Sequence, residues 1–140
     1  MARTRVAART IMVIVDSEEI YSGIGLLLEK RGHRVIEVTH DSEVLEKMRH
    51  ERPDMMLMDT DLPPAKSLVI ARGLRERAGL HDIAIVIATS QKMARPQNDS
   101  ASMGHHDYIV YQGDFEQLKK VLHRLSFETS AMAATQKGGQ

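Results

Sequence analysis

The chain has 140 residues, which is enough for one domain of ordinary size. Its 19 Lys and Arg balance 19 Asp and Glu, so the basic excess of a dedicated nucleic-acid binder is absent. Without cysteine, neither a disulfide framework nor a thiolate zinc site can form. No apolar run reaches the roughly 20 residues of a membrane span, and the basic start lacks the apolar stretch of a secretory signal. These features predict a cytoplasmic domain without a membrane or nucleic-acid partner.

Apolar and amphipathic runs alternate from residue 11 onward. Residues 11–15 (IMVIV) form a continuous apolar run, which is typical of a strand covered on both faces. Asp16 or Ser17 can cap the helix that follows, whose apolar positions recur between Ile20 and Leu28. The same alternation predicts four further strands, at residues 35–38, 55–58, 83–88 and 108–111. It also predicts three further helices, around residues 44–48, 68–74 and 118–125.

Five strands alternating with helices predict an α/β fold with a parallel sheet, because parallel neighbours require crossover connections. The interval 90–106 contains Pro96 and few large apolar residues, so we expect only a short or frayed fourth helix there. In the third helix, Arg72 and Arg75 are expected on the solvent side. Residues 10–126 then form the domain, with 1–9 as a basic N-terminal arm and 127–140 as a flexible tail or linker.

Reactive or polar residues end three of the predicted strands. They are Asp16, Asp59 and Thr89, and ligands of open parallel sheets gather at such carboxyl ends. If the first and third strands are neighbours, Asp16 and Asp59 face each other across one crevice. Carboxylate oxygens suit Mg²⁺, and a carboxylate beside a metal can attack a phosphoryl group to form an acyl phosphate.

Residues 53–63 (PDMMLMDTDLP) resemble the third strand and phosphorylation loop of the response-regulator receiver domains, and the resemblance extends from residue 10 to about residue 126. It implies a flavodoxin-like (βα)5 fold, doubly wound with the strand order 2-1-3-4-5. It also implies that Asp59 is the phosphoacceptor. The metal ligands that it implies are the side chains of Asp16 and Asp59 and the main-chain carbonyl of Asp61.

The resemblance assigns further roles and exposes departures from the family pattern. Thr89 falls on the switch hydroxyl and Tyr108 on the switch aromatic. Ser17 stands where the family has the second acid of a metal-binding pair. Tyr111 replaces the lysine that pairs with the phosphoryl group, and Gln112 replaces the following proline. The sequence therefore predicts an atypical receiver, or pseudo-receiver, with weak Mg²⁺ binding and an impaired phosphate pocket.

Three functions remain open from the sequence. The first is an atypical receiver in a two-component phosphorelay, which accepts a phosphoryl group from a sensor histidine kinase or phosphotransfer protein but is not otherwise an enzyme. The second is a phosphorylation-independent module that binds a protein partner, or itself, through the face formed by residues 90–125. The third is a haloacid-dehalogenase-like phosphohydrolase with Asp59 as nucleophile and Asp61 as general acid. Each of these residues also has a purely structural interpretation. Asp16 is then only a helix cap, Asp59 is only a turn residue, and Thr89 and Tyr108 are only packing residues.

Overall fold

The computed structural model describes residues 9–16, 23–39, 43–98 and 106–127. The described strands are β1 (Thr10–Val15), β2 (Arg34–Thr39), β3 (Met55–Asp59), β4 (Ala84–Thr89), β5 (Gln97–Asn98) and β6 (Asp107–Tyr111). The described helices are α1 (Gly23–Lys30), α2 (Glu43–Glu51), α3 (Pro64–Ala78) and α4 (Phe115–Arg124).

The strands form one sheet in the order β2-β1-β3-β4-β6-β5. All pairings are parallel except that of β5 with β6. The five longer strands therefore confirm the predicted α/β fold and its order 2-1-3-4-5, with β6 as the fifth predicted strand. Their carboxyl ends lie at one edge of the sheet, because Val15 is the register partner of Asp59 and Thr89 that of Tyr111.

The segment between β4 and β6 differs from the prediction of a weak fourth helix. Residues 90–98, which we call the connector, contain no helix, and its end forms the two-residue strand β5. Gln97 and Asn98 are exposed and pair antiparallel with Ile109 and Tyr108. The fourth-helix prediction is thus wrong for residues 90–98, where Pro96 disfavours helix and the edge of β6 offers backbone partners. Residues 99–105 lie outside the described part of the chain.

The sheet is covered by helices on both faces, which explains its fully apolar strands. Alternate residues of β1 enter two different cores: Ile11 and Val13 pack with α1 and α4, whereas Met12 and Ile14 pack with α2 and α3. In such a doubly wound arrangement, the loops that follow the strands gather at their carboxyl ends.

Local sequence signals define the ends of the two longest helices. In α3, Pro64 occupies the first turn, and Gly79 ends the helix at φ 72° while its N–H bonds back to Glu76. In α4, the Asp114 side chain accepts a hydrogen bond from the N–H of Glu116 at 3.1 Å and so caps the start of the helix.

A buried ion cluster joins α3 to the start of β6. Asp107 is 0% exposed and accepts hydrogen bonds from Arg72 Nε at 2.7 Å and Arg75 Nη1 at 2.8 Å. Arg75 Nη1 also donates to the carbonyl of Ile83. The expectation that Arg72 and Arg75 face solvent is therefore wrong, because both guanidinium groups turn toward a carboxylate that cannot be buried without partners.

The two ends of the domain meet at the amino-terminal edge of the sheet. The Arg9 guanidinium carbon lies 5.0 Å from the ring centroid of Phe127, and the ring of His33 is 6.3 Å from the same centroid. Phe127 belongs to the core that includes α4, so Arg9 contacts this core through the Phe127 ring. Among the described residues, no helix has the length and apolar character needed to cross a membrane.

Candidate functional site

Three aspartates converge at the carboxyl ends of β1 and β3. Asp59 ends β3 beside Val15, and Asp16 is the next residue after Val15. The Asp16 carboxylate accepts a hydrogen bond from the main-chain N–H of Asp61 at 2.9 Å. The structure therefore brings Asp16 and Asp59 together, as the sequence predicts from the adjacency of the first and third strands, and it places the main chain of Asp61 beside Asp16.

The loop after Asp59 is held by side-chain hydroxyl groups as well as by the Asp16 carboxylate. Thr60 is buried, and its Oγ1 lies 3.4 Å from Ser67 Oγ on α3. The same Thr60 oxygen accepts a hydrogen bond from the N–H of Leu62 at 3.3 Å. These contacts and the Asp16–Asp61 bond tie the loop to α3 on one side and to β1 on the other, which limits the movement of Asp59.

The oxygen atoms at this edge have the chemistry of a Mg²⁺ site with few protein ligands. Asp16 and Asp59 contribute carboxylates and Asp61 a main-chain carbonyl, and hard oxygen donors of this kind suit Mg²⁺, which keeps several waters. Within the described ranges, no three His, Cys, Asp or Glu side chains lie close enough to hold a metal together. The fit is therefore to a cation held by two carboxylates and a carbonyl. Ser17 lies outside the described residues.

The end of β4 places Thr89 beside the end of β6. Thr89 is 4% exposed, and its two oxygens accept hydrogen bonds from different segments. Its carbonyl accepts from the N–H of Gln112 at 2.8 Å, and its Oγ1 accepts from the N–H of Gln91 at 3.0 Å. Tyr108 is 6% exposed and packs in the core with Leu118 on α4, so its ring is directed into the molecule.

The Tyr111 side chain lies over the turn between β6 and α4. A Cβ atom added to Gly113 would be 2.6 Å from both Cζ and Oη of Tyr111. The phenol end of the side chain therefore occupies the space above Gly113, and glycine is the residue that leaves this space free. Gln112 is exposed, and it contributes to the site its backbone N–H, which bonds to Thr89.

These elements and positions agree with a comparison against protein families. The response regulator receiver domain matches residues 11–123. The chain belongs to this family. Receiver domains are signalling modules of two-component systems, generally without enzymatic activity, that typically bind Mg²⁺ at their phosphorylation site and interact with histidine kinases or phosphotransfer proteins.

Curated relatives include both small and large receiver-containing proteins. The receiver is 26% identical to Protein PilH of Pseudomonas aeruginosa over 113 residues, which cover 81% of this chain and 93% of PilH. It is 27% identical to the polar-differentiation response regulator DivK of Brucella anthropi, across 72% of this chain and 82% of DivK. The similarity to the autoinducer sensor kinase/phosphatase CqsS of Vibrio cholerae, at 29% identity, covers 76% of this chain but only 16% of CqsS.

Sequence reasoning missed one buried polar residue near the receiver site. Gln117 on α4 is 2% exposed, and both polar atoms of its amide have partners. Oε1 accepts from the N–H of Tyr111 at 3.0 Å, and Nε2 donates to the carbonyl of Met93 at 2.8 Å. The sequence signal that could have identified Gln117 is a polar residue on the buried side of α4, directly before Leu118, at a position where an apolar residue is expected.

A groove of about 550 Å³ lies between the start of α3 and the connector. Its lining includes the apolar side chains of Pro63, Leu68, Met93 and Ile109 and the polar side chains of Gln91 and Lys92. The first lining residue, Pro63, comes four residues after Asp59 in the chain.

Proposed function

We propose that this receiver domain accepts a phosphoryl group on Asp59, in a pocket whose electrostatic support is weaker than the family pattern implies. The observation that carries the proposal is the convergence of Asp59, Asp16 and Thr89 at one edge of the sheet. In this reading, a carboxylate oxygen of Asp59 attacks the phosphorus of the donor, the bond between phosphorus and the donor breaks, and the donor leaves without its phosphoryl group, so that Asp59 carries an acyl phosphate. Asp16 and the carbonyl of Asp61 hold Mg²⁺, which supplies positive charge to the phosphoryl oxygens when it is bound.

The weakness of the pocket follows from two side chains, Ser17 and Tyr111. A serine hydroxyl at position 17 is neutral, so it is a poorer ligand for Mg²⁺ than a carboxylate. Tyr111 is neutral where the resemblance implies a lysine, and its ring lies over Gly113. Each lost charge-assisted contact is worth on the order of 1.5–3 kcal/mol, so we expect weak Mg²⁺ binding and slow phosphorylation.

The switch residues support a response to phosphorylation. A dianionic phosphoryl group on Asp59 attracts hydrogen-bond donors, and Thr89 ends the adjacent strand with a hydroxyl whose proton is available for donation. Tyr108, two strands away from β3, is packed against α4. We infer that Thr89 and Tyr108 act as the switch pair, with a histidine kinase or phosphotransfer protein as the donor and a protein contacting the 90–125 face as the output.

Phosphoryl transfer is tested by intact-mass measurement after incubation with acetyl phosphate and Mg²⁺. The wild type is expected to gain the mass of one phosphoryl group in a slow, Mg²⁺-dependent reaction. Asp59→Asn removes the nucleophilic oxygen while it keeps the size of the side chain, so this variant is expected to remain unlabelled. Asp54→Asn is the matched control: Asp54 contacts the N–H of Thr10 at the opposite end of β3, and its loss is expected to leave labelling unchanged.

The outcome separates the proposal from its alternative. Equal labelling of wild type and Asp59→Asn would overturn the assignment of Asp59. Absence of labelling in the wild type, including with a histidine kinase as donor, would favour a phosphorylation-independent interaction module. The observation that favours this second function is the neutral Tyr111 beside the turn at Gly113, since it stands where the resemblance implies a lysine.

A further inference from the structure

Four hydrogen bonds close a ring that contains the Thr89 hydroxyl. From Thr89, one arm runs through its Oγ1 to the N–H of Gln91, at the start of the connector. The other runs through its carbonyl to the N–H of Gln112, in the turn before α4. Gln117 joins the far ends of both arms, because its amide contacts Met93 in the connector and Tyr111 at the end of β6.

The chemistry of the ring requires an amide at position 117. The N–H of Tyr111 needs an acceptor, and the carbonyl of Met93 needs a donor, at one buried point. A carboxylate offers acceptors only, and an aliphatic side chain offers neither group. Glutamine at 117 satisfies both backbone groups at once, and a buried group left without its partner is costly.

The connector needs this fastening, because its other described contacts with the sheet are few. Its residues include the exposed pair Gln97 and Asn98, which make a two-residue strand at the sheet edge. The N–H of Gln91 reaches Thr89 Oγ1 only while the connector lies against the end of β4. A partly buried hydrogen bond from Gln117 on α4 to the carbonyl of Met93, two residues beyond Gln91, holds the connector in that place.

We propose that Gln117 is a positioning residue for the switch: its amide fastens the connector to the end of β6 and thereby fixes the orientation of the Thr89 hydroxyl. The inference rests on the proposed function in so far as Thr89 responds to a phosphoryl group on Asp59. In the unphosphorylated domain, the ring holds one lone pair of Thr89 Oγ1 on Gln91 and leaves the hydroxyl proton for another acceptor. Movement of Thr89 toward a phosphoryl group then displaces the connector and α4 together, because the ring of hydrogen bonds joins both to Thr89.

The test is amide hydrogen exchange and Thr89 χ1 rotamer measurement by NMR on the full unphosphorylated chain. Gln117→Glu keeps the acceptor for Tyr111 and removes the donor to Met93. We expect the Gln91 amide to exchange about tenfold faster or more, while the Tyr111 amide stays as slow as in the wild type. Thr89, held in one rotamer in the wild type, is expected to average over several. Glu116→Gln, which changes an exposed neighbour on α4, is the matched control and should match the wild type in both measurements.

Two results would overturn the inference. One is a Gln117→Glu variant in which the Gln91 exchange rate and the Thr89 rotamer are unchanged. The other is faster exchange spread evenly over α4 and β6, which is the effect of a residue that only supports the helix. If Gln117→Glu does not fold, Gln117→Met takes its place in the test. This variant loses both polar atoms of the side chain, so the amides of Gln91 and Tyr111 should both exchange faster than in the wild type. None of these readouts requires phosphorylation, so failure of Asp59 to become labelled contradicts the proposed function without affecting this result.

Discussion

Tyr111 and Gly113 form a matched pair at the scale of single residues. The phenol end of Tyr111 occupies the space in which any side chain at position 113 would begin. A small residue in the turn and a large neutral residue at the end of β6 therefore belong together. The replacement of the lysine that the resemblance implies is thus accommodated by local packing, which explains how the fold tolerates a change at the site edge.

Gly113→Ala is expected to force the Tyr111 ring away from the turn. The added Cβ would be 2.6 Å from the ring, but Tyr111 is half-buried and can rotate, so the cost in unfolding free energy is about 1 kcal/mol. In a Tyr111→Ala background the same change should cost almost nothing. A denaturant-melt double-mutant cycle measures this coupling, and a cost that is equal in both backgrounds would contradict the pairing.

Asp107 is the residue whose loss should most weaken the described core. Asp107→Ala leaves the Arg75 guanidinium, only 12% exposed, without its carboxylate, and should lower the free energy of unfolding by about 3 kcal/mol. Glu116→Ala breaks an exposed pair with Lys119 and should cost less than about 0.5 kcal/mol. Chemical denaturation of both variants tests the contrast, and similar costs would show that the buried pairs with Arg72 and Arg75 contribute little.

At the scale of elements, two glycines in and after α3 should respond oppositely to the same substitution. Gly79 ends the helix at φ 72°, where alanine is strained, so Gly79→Ala should destabilise the domain by about 1 kcal/mol. Gly73 lies inside the helix, where an added Cβ meets only the end of Arg77 at 3.9 Å, so Gly73→Ala should stabilise by about 0.5–1 kcal/mol. Thermal melts of the two variants measure these effects. A shift of the melting temperature in the same direction for both variants would contradict the different roles assigned to the two glycines.

The strands and most helices could be predicted because their signals are local. The apolar run 11–15 forms β1, a strand with neighbours on both sides in the sheet. Asp16 and Asp59 could be brought together from the sequence, since adjacent parallel strands end at the same edge.

The features that the sequence did not predict depend on contacts between distant segments. The connector has the length of a helix, but its end pairs with the edge of β6, which no local pattern reveals. Arg72 and Arg75 look like solvent-facing residues until Asp107, more than thirty positions later, is placed against them. Gln117 is likewise explained only by the backbone groups of Met93 and Tyr111 that it joins. Tertiary partners decide such positions, and helical propensity does not.

At the scale of the whole molecule, the amino-terminal and carboxyl-terminal ends of the strands differ in the residues that they carry. The amino-terminal edge is closed by the contact of Arg9 with Phe127, so the two ends of the domain lie together there. The carboxyl-terminal edge holds Asp16, Asp59 and Thr89, and the connector reaches this edge at Gln91. If the proposed function holds, a change at Asp59 is expected to reach the connector through Thr89 and Gln91.

The most direct test of a receiver with a weakened phosphate pocket is the extent of Asp59 labelling by acetyl phosphate and Mg²⁺ in wild type and Tyr111→Lys, followed by intact mass. Lysine restores a positive charge beside the acyl phosphate. We expect the labelled fraction at equal times to rise by about tenfold or more, consistent with a charge-assisted contact of about 1.5–3 kcal/mol. Tyr111→Phe, which stays neutral, should label like the wild type. Labelling of Tyr111→Lys at the wild-type level would contradict the account.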